Sequence, residues 1–168
     1  MADNNAQELD ELRRKFLKLK RTLPRKAGIK AVNFFKRNFR RGGFVDRPFR
    51  RWKESGDKRK GGKTLVRSGR LRRNIKILRI NGTKITIGVP KNIKYARIHN
   101  EGGKIKITPK MRRKFWAMYI ETGNDMYKGM ALTKKTHIEI PQRQYIGNSK
   151  ALEVSIKRLL VKELKTLE

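Results

Sequence analysis

Leu9, Leu12, Phe16, Leu19 and Leu23 recur at alternating spacings of three and four residues, which is the period of one helical face. Asn5 with Glu8 three residues later has the form of a capping box, Asn replacing the usual Ser or Thr. Pro24 predicts the end of that helix. Ala27, Ala31, Phe34, Phe35 and Phe39 predict a second helix that stops at Gly42-Gly43, a pair suited to a left-handed cap. From Phe44 to Lys63 the period vanishes, and Phe44, Phe49 and Trp52 stand among charges and glycines. An extended loop or arm is expected there, its aromatics docking on the core or on a neighbouring subunit.

Further along, Ser68 is placed to cap a short helical turn running to Asn74. Ile75, Ile77 and Ile80, then Asn81-Gly82, then Ile85, Ile87 and Val89 predict a β-hairpin with a type I′ turn. Lys104 to Ile107 reads as a third, exposed strand. Thr108-Pro109 supplies a cap and first-turn proline for a helix through Tyr119. A loop containing Gly123 and Gly129 leads to Thr136–Ile140, whose alternation suits a fourth strand ended by Pro141. Asn148 or Ser149 caps a last helix carrying Leu152, Ile156, Leu159, Leu160 and Leu164.

These elements predict an α+β fold: a small antiparallel sheet of about four strands, helices packed on one face, two N-terminal helices and a long C-terminal helix. The expected divisions are N-terminal helices over 1–43, an extended basic arm over 44–64, and an α+β core over 65–168. That core contains an inserted helix around 109–121 and the C-terminal helix at 149–167.

Charge changes the picture most. The 168 residues carry 46 Lys and Arg against 14 Asp and Glu, a formal charge of +32. Between Arg13 and Lys114 there are 37 bases and four acids, and the rest of the chain is close to neutral. Such a block repels itself, so a polyanion or an acidic neighbour is implied. Nucleic acid fits, because neutralising phosphates releases counterions and gives affinity independent of base sequence. An acidic protein surface would serve as well. Apolar residues make up 36% of the chain, enough for a small core. With no Cys, disulfides and thiol chemistry are excluded. The opening ten residues are polar and acidic, and nowhere do ~18 apolar residues run together, so neither a secretory signal nor a membrane span is expected.

Candidate chemistry is sparse. His99 and His137 are the only imidazoles, and His99-Asn100-Glu101 has too few carboxylates nearby for a magnesium-dependent nuclease. Hydrogen bonds that shape a turn account better for that cluster. Gly61-Gly62-Lys63-Thr64 lacks the upstream glycine of a phosphate-binding loop. No catalytic residue, metal or cofactor is therefore expected. The densest cationic stretch is Arg67, Arg70, Arg72 and Arg73, whose guanidinium forks suit phosphates. Lys104 and Lys106 on the exposed strand are further candidates for contacting DNA or a neighbour. No DNA-reading module accompanies them, so contact with the nucleic-acid backbone is expected.

The stretch Leu65-Val66-Arg67-Ser68-Gly69-Arg70-Leu71-Arg72-Arg73-Asn74-Ile75 resembles the opening motif of tail-completion proteins from tailed bacteriophages, the phage virion morphogenesis family. Ile87-Gly88-Val89, then Tyr95-Ala96 with Ile98-His99-Asn100 and Gly102, then Ile138, Ile140-Pro141 and Arg143-Gln144-Tyr145-Ile146-Gly147 follow in the family's order. The resemblance assigns Ser68, Gly69, Leu71, Tyr95, His99, Gly102, Pro141, Arg143, Tyr145 and Gly147 to the family's structural motifs. Phe34-Phe35, Phe39, Gly43-Phe44 and Trp52 are similar to its N-terminal part. Gln144 stands where many relatives have a second proline, and Lys110–Leu132 resembles an insertion that only some members have.

What the resemblance implies is a non-enzymatic neck component at the head-proximal end of a phage tail, assembled in the bacterial host as a sixfold ring around the DNA channel. The implied partners are copies of itself, neighbouring neck and tail proteins such as a tail terminator or head-closure protein, and duplex DNA without sequence preference; no membrane is implied. Phe44, Phe49 and Trp52 would then belong to an inter-subunit arm. The alternative reading is a free, sequence-nonspecific nucleic-acid-binding protein of ribosome or nucleoid.

Overall fold

A computed structural model of the chain describes residues 2–54, 64–66 and 68–167. Its element order is α1 (Ala2–Arg41), β1 (Gly43–Phe44), β2 (Arg50–Arg51), α2 (Arg70–Arg73), β3 (Lys76–Asn81), β4 (Lys84–Gly88), α3 (Ala96–Glu101), β5 (Gly103–Lys106), α4 (Pro109–Thr122), α5 (Asp125–Leu132), β6 (His137–Ile140) and α6 (Lys150–Leu164). The α+β class with small antiparallel sheets and a C-terminal helix is as the sequence predicts.

The two N-terminal helices are one. α1 runs for 40 residues with Pro24 inside it. A proline in a helix interior removes one main-chain hydrogen bond and costs about 3 kcal/mol. Here the apolar face stays in phase across it, because Leu19, Leu23, Ala27, Ala31, Phe35 and Phe39 follow at intervals of four. Five of those six are buried, Leu23 partly, and the buried face offsets the lost bond. Since α1 begins at Ala2, Asn5 lies inside the helix and caps nothing.

The expected sheet of four strands is divided. β3 pairs with β4, β5 with β6 and β1 with β2, each as a separate antiparallel ribbon. In the first, Asn81 pairs with Lys84, so the turn residues are Gly82 and Thr83, one position later than predicted. Gly82 has φ of 55° and Thr83 has no positive φ, the pattern of a type II′ turn, in which glycine is needed only at the first central position. A register shift between Ile77 and Arg79 makes Leu78 a bulge residue. The ribbon lies across α1 at Gly28, where any Cβ would meet the Ile77 and Ile85 side chains.

The core gathers Phe34, Phe35 and Phe39 of α1 with Phe44, Trp52, Leu71, Ile75, Ile93 and Tyr145. α6 packs along α1, with Lys26 paired to Glu163 at 2.5 Å. Thr108 caps α4 by accepting from Met111 N, and Ser149 caps α6 by accepting from Leu152 N. Two helices were not expected. α5 occupies the predicted loop around Gly129, capped by Asn124 through Met126 N, and α3 forms around His99. Among the described residues no helix is long and apolar enough to cross a membrane.

Candidate functional site

The segment from Gln142 to Ile146 is where the chain's distant parts are fastened together. Tyr145 is buried, and its hydroxyl donates to Ala96 O at 2.9 Å. Burial, aided by Tyr95 and Glu101, pushes its phenol up to about 12. The amides of Tyr145 and Ile146 both donate to Asn100 Oδ1, at 2.9 and 3.0 Å. Asn38 of α1, fully buried, donates to Tyr145 O at 2.9 Å and accepts from Val45 N at 3.0 Å. A buried amide with both ends paired satisfies the requirement that enclosed polar groups find partners.

The base of the arm is tied to the same segment. Trp52 Nε1 donates to Gln144 O at 2.8 Å. Arg143 donates from Nε to Lys53 O at 2.9 Å and from Nη2 to Glu54 O at 3.2 Å, and its own amide donates to His99 O at 2.8 Å. Ser149 Oγ donates to Val45 O at 3.0 Å, and Asp46 Oδ1 accepts from Lys150 N at 2.9 Å. Phe44 and Trp52 are therefore intramolecular anchors at 1% and 5% exposure, whereas Phe49 is 45% exposed. Of the three aromatics assigned to an inter-subunit arm, only Phe49 is free to meet a neighbour.

The other motif positions cluster around this knot. Gly102 ends α3 with φ of 77°, and a Cβ there would sit 3.0 Å from Gln142 N. Pro141 and Gly147 bracket the fastened segment, both partly buried. Tyr95 lies edge-on to the His99 ring, centroids 5.9 Å apart. The expected turn at His99-Asn100-Glu101 is helix α3 instead, and the Asn100 side chain holds the distant Tyr145–Ile146 segment. Glu101 pairs outward with Arg97 at 2.8 Å, and His99 Nδ1 is buried without a partner among the described residues. Burial, with the Arg143 charge nearby, lowers the His99 pKa.

The cationic candidates occupy two separate places. In α2, Leu71 is buried and anchors the helix, leaving Arg70 and Arg73 exposed and Arg72 half-buried. Gly69 precedes it with φ of 64°, and Ser68 Oγ accepts from Arg70 N at 3.3 Å. Arg67 and the glycines of Gly61–Lys63 lie outside the described residues. Lys104 and Lys106 are exposed on β5, and Lys104 pairs with Glu139 at 3.3 Å. Six ion pairs are present among the described residues, so most of the described cations have no acidic partner there.

Sequence reasoning missed three residues. Asn38 carries a signal, being a polar residue inside a buried helical stripe. Asn100 was visible only as part of the motif. Arg112, whose guanidinium donates to the carbonyls of Ala131, Thr133 and Lys135, looked like one more surface charge.

A family model described as the phage virion morphogenesis family matches residues 7–165. No curated protein matches the chain. No solved structure matches it either.

Proposed function

Because the chain belongs to the phage virion morphogenesis family and so serves the building of a phage particle, we propose that it is a structural neck protein, closing into a ring around the DNA channel at the head-proximal end of the tail. The observation that carries this reading is that, among the described residues, most cations lack an acidic partner, on a fold with a buried aromatic core of its own. Lys and Arg without a base-reading element suit a channel through which any DNA sequence passes. A ring of six copies agrees with the family resemblance, and rings need heterologous contacts between subunits. Three ribbons of two strands leave strand edges available for such contacts. Acidic faces of adjacent neck and tail proteins would absorb the charge that DNA does not. No step of this role requires a bond to be made or broken.

Electron microscopy of the purified protein, with gold labelling of virions by an antibody against it, tests the proposal. Closed rings and label at the head–tail junction are expected. Label absent from virions, with the protein coating DNA in variable amounts, would reject it in favour of a free nucleic-acid-binding protein.

A further inference from the structure

Among the described residues two apolar surfaces lack a partner, and they differ in charge. The first lies on the opening turns of α1. Leu9, Leu12 and Phe16 form one stripe and are 66%, 45% and 50% exposed. Around them residues 2–12 hold four acids and no Lys or Arg; Glu8 lies beside Leu12 on the helix surface, Arg13 lies between Leu9 and Phe16, and Glu11 pairs with Lys15 at 3.0 Å. In a chain of charge +32 this is the most acidic stretch, and another copy's basic surface would attract it.

The second is a groove of about 780 Å³ between the α4–α5 pair and the β5–β6 ribbon. Ile107, Phe115, Met126, Met130 and Ile138 line it, and Lys104 and Lys135 stand among the lining residues. Met126 is 51% exposed and Met130 39%. Flexible Met side chains suit a site that receives another apolar side chain. Residues 103–140 carry nine Lys and Arg against three acids, so the surroundings of the groove are basic.

Resting on the ring reading above, we infer that the opening turns of α1 in one copy dock in the α4–α5 groove of the next. The stripe from Leu9 to Phe16 spans about 10 Å of helix, two turns, and presents anchors at i, i+3 and i+7, the pattern by which an amphipathic helix enters a groove. Within one copy the stripe stays exposed, because α1 packs mainly against α6, β3 and β4. The contact therefore joins different surfaces of two copies. Repeated head to tail, it produces a ring when the rotation closes. The four acids up to Glu11 favour the opening turns over the rest of the long helix, whose later turns carry bases and no acid.

The chain has no Cys, so introduced thiols report on one contact at a time. A Leu12→Cys variant is mixed with a Met130→Cys variant, oxidised and run on a non-reducing gel, while native mass spectrometry records the assembly. A Val161→Cys variant on α6, exposed like the other two positions, replaces Met130→Cys in a parallel mixture. A disulfide-linked pair in the first mixture and none in the second is expected. A Leu12→Cys pair with itself, a link to Val161→Cys, or no link although a closed oligomer forms overturns the docking and leaves the ring standing. Absence of any closed oligomer overturns both.

Discussion

Phe39 and Trp116 are both aromatic residues on helices, yet their surroundings are opposite. Phe39 has no exposed surface and is packed against Trp52 and Tyr145, with ring centroids 5.4 and 5.3 Å away. Trp116 is 41% exposed, and its helix α4 has no buried residue. The difference follows from what each helix packs against. The second half of α1 meets α6, the β3–β4 ribbon and the fastened segment around Tyr145, whereas α4 packs chiefly on α5. Stability is thus concentrated in one half of the molecule, and the other half keeps its apolar surface available for contact.

The largest effect is expected from Phe39→Ala. Removing a fully enclosed aromatic leaves a cavity and costs about 3–5 kcal/mol. Urea unfolding followed by circular dichroism measures it, and a loss below about 1 kcal/mol would place the stabilising core elsewhere. A smaller effect is expected on acidification. Burial first, and the Arg143 charge second, hold His99 below its ordinary pKa of 6.5, so the folded protein binds fewer protons than the unfolded one between the two values. The contribution of His99 is fully present above the unfolded value and declines as pH falls through 6.5 toward the lowered one. The urea midpoint should drop between pH 7.5 and 5.5 in the parent protein and drop less in His99→Gln; equal drops would remove His99 from the account. The smallest change in stability is expected for Ile120→Ser on α4. Ile120 is 72% exposed, and the unfolding free energy should move by no more than about 0.5 kcal/mol. A larger loss would show that α4 contributes to the core after all.

The same contrast explains which parts of the fold could be read from the sequence. Periodic faces were legible: Phe34 to Phe39, largely buried, and the alternating isoleucines of the β3–β4 ribbon and the leucines of α6, mostly half-buried, all lie in the predicted element types. Pro24 misled because the local rule for proline was given more weight than the interval of four that continues beneath it. The separate ribbons were not legible, since alternation says that a strand has two faces and nothing about which strand lies beside it. α5 was hidden by Gly129, which the helix tolerates in an exposed turn. In the candidate site, the motif from Pro141 to Gly147 stood out in the sequence. That its Arg143 binds main-chain carbonyls of the arm depends on contacts about 90 residues apart in the chain.

β5 and β6 are adjacent strands, with Lys106 opposite His137, and everything from residue 107 to 136 projects from that one junction. Replacing the whole excursion by a tight turn would shorten the loop by roughly three halvings, a difference in closure entropy of only about 2 kcal/mol. Arg112 gathers the far end of the excursion by its own three hydrogen bonds, without help from the rest of the molecule. The appendage is thus detachable in energetic terms, and deleting it should leave the scaffold beneath folding as before.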